Sequence, residues 1–114
     1  MTPSGKLTRR LRFESPQAQP DGYGDAVTIW QEEFTTSAEV FARSGGEQVL
    51  AARLSGIQPV EITVRRFAAT ARITSAWRVI DVHSGEMFAL VAPPFDPDGS
   101  RAFVKMLGRS GVAT

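Results

Sequence analysis

Val60, Ile62 and Val64 alternate with Glu61, Thr63 and Arg65, so the stretch 60–67 has a period of two. That period belongs to a strand with one face in a core and the other in water. It recurs along the chain. Leu7, Leu11 and Phe13 share one side of a first strand over 7–14, with Thr8, Arg10, Arg12 and Glu14 on the other. A second strand is expected over 26–34, with Val27 and Ile29 on one face and Thr28, Trp30 and Phe34 on the other. Apolar residues on both faces imply a strand covered twice, in a barrel or at an interface. After a break at Thr35-Thr36, a third strand runs over 38–43. Trp77 to Val82 and Glu86 to Ala92 form the arms of a hairpin around His83-Ser84-Gly85. A last strand is expected over 101–107, with a polar tail from Gly108.

Between these strands lie breakers. The run 15–25, SPQAQPDGYGD, holds two prolines and two glycines and reads as a long loop. Residues 44–56 are the one helix candidate. Ser44-Gly45-Gly46-Glu47 has capping-box spacing, and Val49, Leu50 and Leu54 form an apolar stripe. The stretch 68–76 reads as loop, and Asp96-Pro97-Asp98-Gly99 as a type I turn. The expected fold is mainly β. It is a small six- to seven-stranded antiparallel barrel or sandwich with one short helix inserted after the third strand.

A chain of 114 residues suits one domain, here with its core over about 7–108. Charge is nearly balanced, 13 Lys+Arg against 12 Asp+Glu, whereas nucleic-acid binders usually show a basic excess. The absence of cysteine excludes disulfides, zinc ribbons and cysteine nucleophiles, and suits a reducing compartment. The N-terminal MTPSGKLTRRLRF has no apolar segment like that of a signal peptide, and the longest apolar run, 87–92, is too short to span a membrane. A soluble intracellular domain is expected.

Catalytic chemistry has little to stand on. The single histidine, His83, sits in a hairpin turn, where a solvated side chain is the plainer reading. Asp96, Asp98 and Ser100 alternate like part of a calcium loop, but the rest of that pattern is missing. Glu32 and Glu33 point to opposite strand faces and make a poor acid–base pair. No catalytic residue, metal ligand or cofactor is assigned. Two features suit contact instead. The loop Asp21, Gly22, Tyr23, Gly24 is followed by a strand rather than a helix, so it is no nucleotide fingerprint. It is either a mobile surface loop or one that orders against a partner, with Tyr23 as its anchor. Lys6, Arg9, Arg10 and Arg12 form a basic cluster. It either faces DNA phosphates or supplies solvated edge charges that resist aggregation.

Several strings, taken in order, resemble a known family. They are Arg9-Arg10-Leu11-Arg12-Phe13, the loop 21–24, Trp30-Gln31-Glu32-Glu33, Ala38-Glu39-Val40 and Gly45-Gly46-Glu47. Val60 to Arg65, the hairpin Trp77 to Phe88, and the turn 96–99 complete the set. The chain resembles the phage head–tail joining proteins, also called head-closure or stopper proteins, over about residues 7–108. Members occur in phages, prophages and gene transfer agents.

The resemblance implies a small β-barrel that is a structural virion protein and not an enzyme. It implies a homo-oligomeric ring of six or twelve copies at the neck of the particle, assembled in the bacterial cytoplasm. Its partners would be the portal-adaptor protein, a tail terminator or tail tube protein and the packaged DNA end, with no membrane. Such a ring retains DNA and docks the tail. The family's gating excursion would fall on 44–58, with Gly45, Gly46, Glu47, Gln48 and Arg53 as candidates, and 15–25 as a second site. The competing reading is a nucleic-acid-binding β-barrel acting alone, motivated by Arg9, Arg10 and Arg12.

Overall fold

The computed structural model describes residues 7–96, 99 and 101–111. Six strands appear: β1 (Arg9–Pro20), β2 (Ala26–Ala42), β3 (Gln58–Arg65), β4 (Arg78–Asp81), β5 (Met87–Leu90) and β6 (Phe103–Ser110). A helix, α1 (Glu47–Leu54), lies between β2 and β3, and a 3-10 turn (Ala68–Arg72) follows β3. The strands close as a barrel in the order β1-β2-β3-β6-β5-β4, with every pairing antiparallel. Closure comes from Leu11–Glu14 of β1 against Arg78–Asp81 of β4. The mainly β, barrel-type expectation holds.

Alternation fills the interior as expected. Leu11, Phe13, Ile62, Val64, Val79, Phe88 and Met106 are fully buried or nearly so. Each large apolar side chain placed this way contributes about 1.5–3 kcal/mol of burial. Phe13 stacks on Phe34 at 4.7 Å between ring centroids, and Phe34 meets Phe67 edge-on at 5.0 Å. Phe67, just after β3, thereby helps close this end of the barrel.

Several boundaries differ from the sequence reading, each for a physical reason. The second and third strands are one 17-residue strand, because Thr35 and Thr36 are β-branched and fit a pleat. The helix follows that merged strand, behind Arg43 as expected. The capping box does not form: Gly46 is the N-cap, with φ 82 and no side-chain cap. The apolar stripe of α1 is not a core face either. Val49 is buried, while Leu50 and Leu54 are 57% and 80% exposed. β3 ends at Arg65, and the stretch 68–76 begins with the 3-10 turn. The last strand starts at Phe103 and runs through the expected tail to Ser110, because Gly108 pairs with both Val60 and Leu90. Of the turn 96–99, Pro97 and Asp98 lie outside the described residues, as do Ser100 and Lys6.

The largest difference is at 15–25. Strand β1 does not stop at Glu14 but continues to Pro20, paired with β2 throughout, and only 21–25 form a turn. Prolines 16 and 20 are tolerated because no strand pairs with the outer side of β1 beyond Glu14. The result is a two-stranded arm that leaves the barrel and reaches ~20 Å past Glu14.

Candidate functional site

The arm begins at a β-bulge. Phe13 pairs with Phe34 but Glu14 pairs with Glu32, leaving Glu33 as the extra residue. A bulge bends a ribbon and re-aims its side chains. Beside it Glu14, on the face opposite Phe13, is only 7% exposed. The buried carboxylate accepts from Arg78 Nε at 2.6 Å and from Arg12 Nε at 2.9 Å. The Arg78 guanidinium also lies 4.4 Å from the Trp30 ring centroid. Glu33 accepts from Ser15 Oγ and from Arg72 Nη1 at 3.0 Å. Both strands are thus tied to the barrel at the root of the arm.

Beyond the root the arm is exposed. Val27 and Ile29 are 48% and 44% accessible. At the tip the candidates Asp21, Gly22, Tyr23 and Gly24 come together. The Asp21 backbone N–H donates to the Asp25 carbonyl at 3.0 Å, and the Asp21 carboxylate accepts from the Tyr23 N–H at 2.7 Å. Gly22 and Gly24 have φ of 86 and 91, which a side chain would strain. This ordered turn presents Tyr23 at 92% exposure.

The three arginine candidates of β1 do not share one environment. Arg9 pairs with Asp81 at 2.9 Å and Glu86 at 3.0 Å, and lies over the Phe88 ring. Arg12 is held by Glu14. Arg10 is exposed, with Ser37 Oγ 3.4 Å away. Asp81 also accepts from the backbone N–H groups of His83 at 2.9 Å and Ser84 at 3.1 Å. Burial opposes its ionisation, but those two N–H groups and Arg9 together hold its carboxyl below the usual aspartate range.

At the other end of β2, Gly45, Gly46, Glu47 and Arg53 line an open hollow of about 340 Å³ with Val49 and Leu50. Gln48 is exposed on the same helix. The excursion is closed at its base by the Arg43 N–H donating to the Pro59 carbonyl at 3.0 Å and by Gln58 Nε2 donating to the Arg43 carbonyl at 2.9 Å. Among the described residues, no group of three or more His, Cys, Asp or Glu could hold a metal ion. No described helix is long and apolar enough to cross a membrane.

Sequence reasoning placed a strand over 26–34 but missed its partner over 15–20, and so missed the arm. The signal was present: 15–20 and 26–31 contain no charged residue, and Pro16 and Pro20 have the same strand parity. It missed the Glu14–Arg78–Trp30 grouping too, because that depends on a bulge with no local signature.

Comparison with solved structures bears on this architecture. A solution structure of a Shigella flexneri 2a protein superposes with a TM-score of 0.72 at 22% identity, covering 99% of this chain and 100% of the other. A chain in the virion of a native gene transfer agent particle superposes with a TM-score of 0.64 at 26% identity, covering 93% and 96%. No curated protein matches. The model of the phage head completion protein family matches residues 2–111. That family is one of structural virion proteins rather than enzymes. With nearly its whole length matched, this chain belongs to the phage head completion protein family.

Proposed function

We propose that the chain is the subunit of a ring at the head–tail neck of a phage or phage-like particle. The ring lies between a portal-adaptor complex and the tail, retains packaged DNA and gives the tail its docking surface. The observation that carries this reading is the projecting arm, ordered at its tip and exposed along its length. A closed ring needs two different patches on each subunit. The arm and the α1 excursion stand at opposite ends of β2 and supply them. The likeness to a chain of a gene transfer agent virion supports a place in such a particle. A nucleic-acid-binding barrel acting alone has weaker support, since Arg9 and Arg12 already carry carboxylates.

The test shortens the arm. Gln17 pairs with Ile29, so replacing 18–28 by Asn-Gly closes the hairpin with a two-residue turn. The isolated variant is expected to keep its barrel, judged by thermal unfolding. Particles assembled with it are expected to yield tailless heads that lose DNA. Normal joining with the shortened arm would sink the assignment of the arm as a docking element.

A further inference from the structure

The arm has two outer edges, and they are chemically unlike. β4 pairs with β1 only as far as Glu14, and β3 pairs with β2 only over Ala38–Ala42. No described strand therefore covers β1 beyond Glu14 or β2 between Ala26 and Ser37. Proline 16 faces Trp30, Ala18 faces Thr28 and Pro20 faces Ala26. The Asp21 N–H bonds across to Asp25, so the next pair, Pro20 with Ala26, is of the non-hydrogen-bonded kind. The same holds for the other two pairs, which have the same parity. Backbone groups in such pairs point away from the hairpin. The outer edge of β2 thus offers the N–H and C=O of Ala26, Thr28 and Trp30. The outer edge of β1 offers three carbonyls but only the Ala18 N–H, because proline has none.

Exposed edges in natural sheets are usually protected by charge or proline. Here β1 is protected by its prolines and β2 has no protection over 26–31, which carries no charge and no proline. Two strands alone are marginally stable in water, and a third would complete the ribbon. Acidic residues bracket the uncharged stretch, Asp25 before it and Glu32 after it.

We infer that the outer edge of β2 over Ala26–Gln31 captures an extended strand from a different polypeptide, about six uncharged residues bracketed by lysine or arginine. This rests on the reading of the arm as the partner-facing element. Main-chain hydrogen bonds to Ala26, Thr28 and Trp30 supply the affinity, and charge pairing with Asp25 and Glu32 sets the frame. The arm of a second copy is a poor occupant. Its β1 edge has a single donor, the Ala18 N–H, and its β2 edge would bring Asp25 of one copy against Glu32 and Glu33 of the other in antiparallel pairing.

The probe is a labelled peptide of alternating threonine and valine with lysines at both ends, titrated onto the full chain by fluorescence anisotropy. Saturable binding is expected, weakened about tenfold or more by Thr28→Pro and left within about twofold by Ala18→Pro. Both prolines fall on non-hydrogen-bonded positions, so each removes only an outward N–H. A glutamate-capped peptide is expected to bind about tenfold more weakly. Methylating alternate backbone nitrogens of the lysine-capped peptide, on its binding edge, should abolish capture by the unaltered chain. That readout stands whether or not Thr28→Pro folds. Equal binding by Thr28→Pro and the unaltered chain, or equal loss in both proline variants, would overturn the inference. So would Thr28→Pro abolishing self-association while no peptide is captured. If shortening the arm blocks joining but no peptide binds, the docking role stands and strand capture falls.

Discussion

Arg78 places its guanidinium 4.4 Å from the ring centroid of Trp30 while its Nε donates to Glu14 at 2.6 Å. One side chain from β4 therefore holds both strands of the arm. Removing it leaves a buried carboxylate with only Arg12. The variant Arg78→Ala is expected to lose about 2 kcal/mol in urea unfolding. Amide exchange should rise along 15–20 and 26–31 and stay unchanged in β3 and β6. A double-mutant cycle with Trp30→Ala should show coupling of about 0.5–2 kcal/mol.

Phe13 is fully buried and stacks on Phe34. Its truncation opens a cavity beneath the root of the arm. Phe13→Ala is expected to cost about 3–5 kcal/mol. Phe41→Ala, at a position 59% exposed, should change stability by no more than about 0.5 kcal/mol. Urea midpoints of the two variants make the comparison.

Asp81 has a folded pKa lowered below its unfolded value. Its contribution is complete above the ordinary aspartate pKa and is lost as pH falls through the lower folded one. Stability should therefore drop on acidification from about pH 4 downward. Asp81→Asn should be less stable at neutral pH and show a shallower acid slope. Unfolding midpoints measured from neutral pH into that acid window decide this.

Tyr23 stands at the tip with 92% of its surface accessible, and Leu54 is 80% accessible on α1. Neither supports the barrel. Tyr23→Ser and Leu54→Ser are each expected to shift the unfolding free energy by no more than about 0.5 kcal/mol. If the arm tip docks onto a partner, Tyr23→Ser particles should assemble with fewer tails, counted by electron microscopy.

The barrel was legible because its strands alternate. Val60, Ile62 and Val64 point inward as their spacing requires, and so do Leu11 and Phe13. The β2 half of the arm was legible too, but its β1 half was not, because proline usually marks a break and Pro16 and Pro20 here mark an edge. Whether proline ends a strand depends on whether a neighbour needs its N–H, and that is a tertiary fact. The stripe of α1 misled for a similar reason: Leu50 and Leu54 have helical spacing, but the helix buries Val49 and leaves both leucines in water. The candidate contact residues at 21–24 were found from their glycines. The strand edge beside them escaped notice because its signal is the lack of charge.

β2 runs unbroken from the turn at the arm's tip to the root of the α1 excursion, sharing β1 over its first part and β3 over its last. Ladder hydrogen bonds lie across the strands. A pull on the tip directed along β2 therefore loads those bonds in shear, all together. A sideways pull that peels the strands apart would break them one at a time. The arm is mechanically strong in one direction and weak in the other, so tension from an attached tail would be resisted best when it acts along the strand.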